Sequence, residues 1–169
     1  RILSNNDVKI GAGNFNTANG ELYINNGQDQ ALQTGAYFKH ISQQGNLDKQ
    51  QFSNQALGIF GRSIADTYSL SGKLSYDRKS TFFYGFNPAS SAPVDMSKQR
   101  FGIIEANGEI TSKYSESSNL DYTAGINIYQ FSDINDARES SVLLNTSLHK
   151  KVSLASLGLN ASADLTSSK

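Results

Sequence analysis

The chain has 169 residues, 37% hydrophobic and 18% charged, with 15 basic residues against 15 acidic ones and no cysteine. It has no basic stripe for nucleic acid, no like-charge tail, and no material for a disulfide framework or a cysteine-based zinc site. No run approaches the roughly 18 apolar residues of a membrane helix. A membrane crossing would therefore have to use strands in a closed barrel, the only other structure that satisfies every backbone polar group in lipid.

The apolar residues alternate with polar ones almost from end to end, the period of a strand and not of a helix. Val8, Ile10 and Ala12 alternate with Lys9, Gly11 and Gly13, and Leu22 and Ile24 with Glu21, Tyr23 and Asn25. Leu32, Thr34, Ala36 and Phe38 oppose Gln33, Gly35, Tyr37 and Lys39; Leu57 and Ile59 share one face and Phe60 takes the other, so either face of this strand could be the apolar one. Tyr68, Leu70, Gly72, Leu74 and Tyr76 oppose Ser69, Ser71, Lys73, Ser75 and Asp77. Ile104, Ala106, Gly108 and Ile110 oppose Glu105, Asn107, Glu109 and Thr111. The clearest case sets Leu120, Tyr122, Ala124, Ile126 and Ile128 against Asp121, Thr123, Gly125 and Asn127. Val142, Leu144, Thr146 and Leu148 follow, with Leu143 as an exception on the polar side, and then Leu157, Leu159, Ala161, Ala163 and Leu165. The pattern predicts about nine strands, most close to the length that crosses a tilted bilayer barrel.

Short polar turns are expected at Ala65-Asp66-Thr67, Ser115–Asn119 and Lys150-Lys151. Longer connections are expected at Gln43–Gln51, at Asn87–Gln99 with both prolines, Pro88 and Pro93, and at Ser132–Ser140. Thr17–Gly20 reads as a further short loop. Alternating long and short connections are the habit of membrane barrels. Phe15, Phe52, Tyr68, Tyr84, Phe86, Phe101, Tyr114, Tyr122 and Phe131 sit near strand ends, where an aromatic girdle would meet lipid headgroups.

Catalytic and metal chemistry find little footing. His40 and His149 are the only histidines and lie far apart in sequence. Asp133, Asp136 and Glu139 share one loop but lack the spacing and glycine of an EF-hand. Gly11-Ala12-Gly13 lacks the third glycine and the helix of a phosphate loop. No enzyme, cofactor or metal is expected.

Around Gly11–Thr17, Gly35–Ser42, Leu70–Tyr76 and Tyr84-Gly85-Phe86-Asn87 the chain resembles the barrel of TonB-dependent-receptor-like outer-membrane proteins of Gram-negative bacteria. The resemblance implies a larger barrel with a plug domain, and nutrient uptake driven by an inner-membrane energy-coupling complex. The expectation for residues 1–169 is an all-β, antiparallel, up-and-down transmembrane barrel, as a fragment of a larger one, in the bacterial outer membrane. Its partners would be outer-membrane lipid, the remainder of the barrel or other outer-membrane subunits, and the energy-coupling complex. Lys39, Lys73, Asp77, Glu105, Glu109 and Asp121, with Lys9, Glu21 and Lys113, would face the interior and pair across strands or hold a plug or partner. Leu70, Leu74, Tyr122, Ala124, Ile126, Ile128, Leu157 and Leu159 would face lipid. Alternatives are an accessory structural barrel of an assembly or secretion machine and a soluble extracellular β-rich adhesin.

Overall fold

The computed structural model describes residues 6–26, 31–47, 49–82, 97–113, 119–152 and 155–169. They form one nine-stranded sheet in sequence order: β1 (Asn6–Gly13), β2 (Thr17–Asn25), β3 (Leu32–Gln43), β4 (Phe52–Ile64), β5 (Tyr68–Phe82), β6 (Lys98–Ser112), β7 (Leu120–Asp133), β8 (Arg138–Val152) and β9 (Ala155–Ser168). Every neighbouring pair is antiparallel, and β1 and β9 are open edges, so the sheet is not closed into a barrel.

The registers place the alternation in phase across all nine strands. One face collects Val8, Leu22, Phe38, Leu57, Tyr76 and Ile104 in one cross-strand row, and Ile24, Ala36, Ile59, Leu74, Ala106, Ile128, Val142 and Leu165 in the next. Phe60 lies on the opposite face, as does Leu143, which pairs with Asn127 and Asp164. Among the described residues no hydrophobic side chain is buried; Leu159 is 61% exposed and Leu165 68%. The sheet is a single layer with no core of its own.

Several expected turns fall elsewhere. Thr17–Gly20 belongs to β2, because the reversal occurs at Asn14–Asn16, where Phe15 and Asn16 take positive φ and Thr17 N donates to Asn14 O at 3.3 Å. Lys150 and Lys151 are inside β8, opposite Leu157 and Ser156. The Ser132–Ser140 connection shrinks to 134–137, because both flanking strands continue their ladder to Ser132 and Arg138. One end of the sheet carries the connections 14–16, 44–51, 83–97 and 134–137, the other 26–31, 65–67, 113–119 and 153–154. The expected long–short contrast therefore rests on 44–51 and 83–97.

Large rings on the polar face are seated on glycines of the neighbouring strand. Tyr37 pairs with Gly58 and Phe60 with Gly35. A Cβ at Gly58 would lie 2.7 Å from Tyr37 Cε1, and one at Gly35 would lie 2.4 Å from Phe60 Cζ. Each glycine leaves the hollow its partner ring fills, a cross-strand pair that adds area to β3–β4 without a second layer. Gly58→Val should destabilise the fold by about 1–3 kcal/mol through overpacking. Combined with Tyr37→Ala it should cost clearly less than the two single changes added. Equilibrium unfolding of the four variants of this cycle measures the coupling, and strict additivity would sink the account.

Candidate functional site

The polar face is where the chemistry of the sheet lies. All six side chains expected in the interior, Lys39, Lys73, Asp77, Glu105, Glu109 and Asp121, are on it, and the eight expected lipid-facing residues share the other face. Lys113 follows the end of β6 and donates its backbone N–H to Thr67 O at 2.8 Å.

At β1–β3 and β5 the face carries a lysine–tyrosine array. Lys39 Nζ sits 5.5 Å from the Tyr23 ring centroid and 5.6 Å from that of Tyr37. Lys9 lies 5.7 Å from Tyr23 and Lys73 5.9 Å from Tyr37. The two rings are 6.3 Å apart and tilted by 33°. Lysines two strands apart meet here because the tyrosine rings lie between them and attract an ammonium on their π faces. Lys9 also pairs with Asp7 at 3.1 Å and Glu21 at 3.8 Å. Next to the array, Ser75 is 2% exposed, with its hydroxyl lacking a partner.

Of the expected cross-strand pairings of interior charges, one forms among the described residues, Lys9 with Glu21. Among the described residues, the Lys9 contacts are the only ion pairs. Lys73 stands opposite Phe60 and Asn107, Glu105 opposite Ser75 and Tyr129, and Glu109 opposite Ser71 and Gly125. The signs segregate instead. β1–β5 present Lys9, Lys39, Arg62, Lys73 and Lys79 with Asp7, Glu21 and Asp77. β6–β9 present Glu105, Glu109, Asp121, Asp133, Glu139 and Asp164 against Lys151. The face is basic on one side and acidic on the other, a pattern visible only once register fixes which charges share a face.

Other sequence candidates resolve individually. His40 is on the apolar-face parity, its Nε2 3.2 Å from Ser42 Oγ, whereas His149 is on the polar face beside Gly158; the sheet separates them. Phe101 and Phe131 are not in an outward girdle: they are on the polar face, stacked at 5.9 Å, because their parity follows Asp133 and Glu139. Phe52 shares that face, and Phe15 occupies the β1–β2 turn. Tyr68 and Tyr122 are on the apolar face at the end of its band, and Tyr76, not singled out in the sequence, closes the band at the other end of β5. Tyr84, Phe86, Tyr114, Pro88, Pro93, and the turn over 115–118 lie outside the described residues.

Asp133 Oδ1 accepts from the backbone N–H groups of Asn135 and Ala137, each at 2.8 Å, closing the β7–β8 turn. Among the described residues no group of three His, Cys, Asp or Glu side chains is placed to hold a metal ion. No family model, no curated protein and no solved structure matches the chain. Asp133→Ala should cost about 1–3 kcal/mol, the loss of hydrogen bonds to a charged acceptor. Asp133→Asn, which keeps an acceptor oxygen, should cost less. Thermal unfolding of both variants tests this, and equal losses would show that the carboxylate does not hold the turn through these bonds.

Proposed function

We propose that this sheet is a section of the wall of a transmembrane β-barrel in the bacterial outer membrane, serving receptor-type uptake or transport. Its apolar face would lie against lipid and its polar face would line an aqueous interior. The observation that carries the reading is the slant of the apolar band. Starting at Ile10, mid-band in β1, the cross-strand row runs through Gly20, His40, Gln55, Arg78, Gly102, Ser132 and Arg138 to Lys169, just past β9. The band centre in β9 is Ala161. The band has therefore moved from 169 to 161, eight residues, in eight strand steps, one residue per step. With a rise of ~3.3 Å per residue and a strand spacing of ~4.8 Å, a level band requires strands tilted by about 35°. Barrels that cross membranes tilt their strands by about 35–45°.

A second feature supports the same reading. Every Asp and Glu in the described strands is on the polar face, and none is on the apolar one. A sheet with water on both faces has no reason to exclude carboxylates from one face alone, so the apolar face calls for an apolar covering. In β5 the band runs from Tyr68 to Tyr76, about 26 Å along the strand and about 22 Å along the normal at that tilt. That is close to the roughly 25 Å lipid-facing band of outer-membrane barrels, with a tyrosine at each border. The uptake role, and the energy-coupling complex as a partner, are what the likeness to TonB-dependent receptors implies. The polarised polar face would suit a solute or plug carrying both signs. An accessory structural barrel of an outer-membrane assembly or secretion machine is the second reading.

The absence of cysteine makes single-cysteine variants at 122–128 clean probes. In vesicles, cysteines at Tyr122, Ala124, Ile126 and Ile128 should resist a water-soluble maleimide, and fluorophores there should be quenched by lipid-borne quenchers. Cysteines at Thr123, Gly125 and Asn127 should behave oppositely. Uniform labelling along the strand would overturn the membrane reading. Ala124→Arg should destabilise the protein folded in lipid by ~2–4 kcal/mol, the cost of a cation near the bilayer midplane. Thr123→Arg should cost much less, and an equal cost at the two sites would place water or protein on both faces.

A further inference from the structure

The apolar face is free of acid but not of charge. Beyond its band, at the end that carries the connections 44–51 and 83–97, it presents Arg78 in β5, Lys98 and Arg100 in β6 and Arg138 in β8. Arg78 stands opposite Gly102, and Gly102 opposite Ser132, which in turn faces Arg138. Arg100 lies two residues from Gly102 on the same face, diagonal to Arg78, a spacing of roughly 7–8 Å between backbones. Across β5–β8 the backbones that carry the three arginines span three strand spacings, about 14 Å. The neighbouring carboxylates Asp77 and Glu139 are on the opposite face of the sheet, and none of these cations belongs to an ion pair among the described residues. Arg100 Nε is shielded from solvent without a hydrogen-bond partner.

The ground between and beside the arginines is polar and carries hydroxyls. Ser132 and Tyr76 close over Gly102: a Cβ there would be 3.3 Å from Ser132 Oγ and 3.6 Å from Tyr76 Oη, so two hydroxyls stand between Arg78 and Arg138. Alongside it runs a cross-strand row of Ser42, Ser53 and Ser80 that ends on Arg100. Those serines, with Phe82 and Lys98, help line a shallow hollow of about 360 Å³ that lies beside the arginines and meets the cluster at Lys98. Uncompensated like charges placed side by side repel one another and contribute nothing to the fold by themselves. An anion with several oxygens would relieve the repulsion and accept bidentate bonds from the guanidinium forks.

We propose that Arg78, Arg100 and Arg138, with Lys98, form a binding site for the phosphate groups of membrane-lipid headgroups in the leaflet at this end of the sheet. The site rests on the membrane reading above, because its position just past Tyr76, the border of the apolar band, puts it at headgroup depth. The serine row supplies neutral hydrogen-bond partners for the rest of a polar headgroup, and the apolar band below takes the acyl chains. A free phosphate in water would use the same guanidinium chemistry, but it would gain nothing from the adjoining apolar band.

The test reconstitutes the full protein in phosphatidylcholine vesicles, alone or doped with phosphatidic acid, whose headgroup is a phosphomonoester. Retained lipid is read by native mass spectrometry after extraction. The protein should retain phosphatidic acid over phosphatidylcholine, and Arg78→Gln/Arg100→Gln/Arg138→Gln should reduce that retention at least about tenfold, the loss of one charge-assisted contact or more. The matched Lys9→Gln/Lys39→Gln/Lys73→Gln change on the opposite face should leave it unchanged. Should the triple variant not fold, Arg138→Gln alone, at an exposed position, should still lower retention. Insertion into phosphatidylcholine without any preference for phosphatidic acid would overturn this proposal while the membrane reading stands; failure to insert at all would overturn both. Displacement of the lipid by millimolar inorganic pyrophosphate would mark a free-anion site and overturn the lipid assignment.

Discussion

The backbone ladder and its period of two govern this molecule. With no hydrophobic side chain buried among the described residues, the antiparallel hydrogen bonds and the cross-strand pairs they set in place are the internal cohesion of the sheet. Register then decides everything else, since a slip of one residue exchanges the faces of a whole strand. A one-residue slip of β7 against β6 would bring Asp121 and Asn127 onto the face of Ile110 and Ile104. The eight pairings observed contain no such exchange, and a face free of carboxylates across nine strands is the result.

The two faces make opposite demands of their surroundings. The polar face holds lysines over tyrosine rings on β1–β5 and carboxylates without ion pairs among the described residues on β6–β9, all of which need water or a polar partner for their charges. The apolar face exposes a continuous band of Leu, Ile, Val and Tyr far larger than the patches a monomer normally leaves in water. A single layer cannot answer both demands in one solvent. The proposed boundary between lipid and an aqueous interior would answer both, and it would also account for arginines that stand only past the edge of the band, where a long side chain would reach headgroups.

Strand number, the parity of every strand but β4 and even the Leu143 exception were legible in the sequence, because alternation is a local signal; in β4, Phe60 beside Ile59 left either face open. The strand ends were less so. Lys150-Lys151 reads as a turn by polarity, yet the ladder with β9 carries β8 on through Val152. Thr17–Gly20 reads as a loop because Gly20 sits within it, yet the tight reversal belongs to Asn14–Asn16, where Asn16 tolerates a positive φ. Phe101 and Phe131 look like girdle residues by distance from a turn alone, and only their parity sends them to the other face. What the sequence hid most fully were features that need several registers at once: the separation of basic from acidic strands, the Tyr37–Gly58 seat, and the gathering of Arg78, Arg100 and Arg138, which come from three strands.

The edges add a constraint of their own. Directions alternate along an up-and-down sheet, so β1 and β9 run the same way. Joining them directly would make a parallel pair in a sheet whose eight observed pairings are all antiparallel. A parallel pair is slightly less stable per residue, and it would stand alone among antiparallel neighbours. An all-antiparallel seal needs an odd number of further strands between the two edges, from whatever source. In water the exposed edge of β9 could be satisfied by solvent, but within lipid each unpaired N–H and C=O would cost several kcal/mol. The same slant that places Ile10 level with Lys169 shows how such strands would fit: each would continue the drift of about one residue per step, so that the apolar band stayed level as the wall curved round.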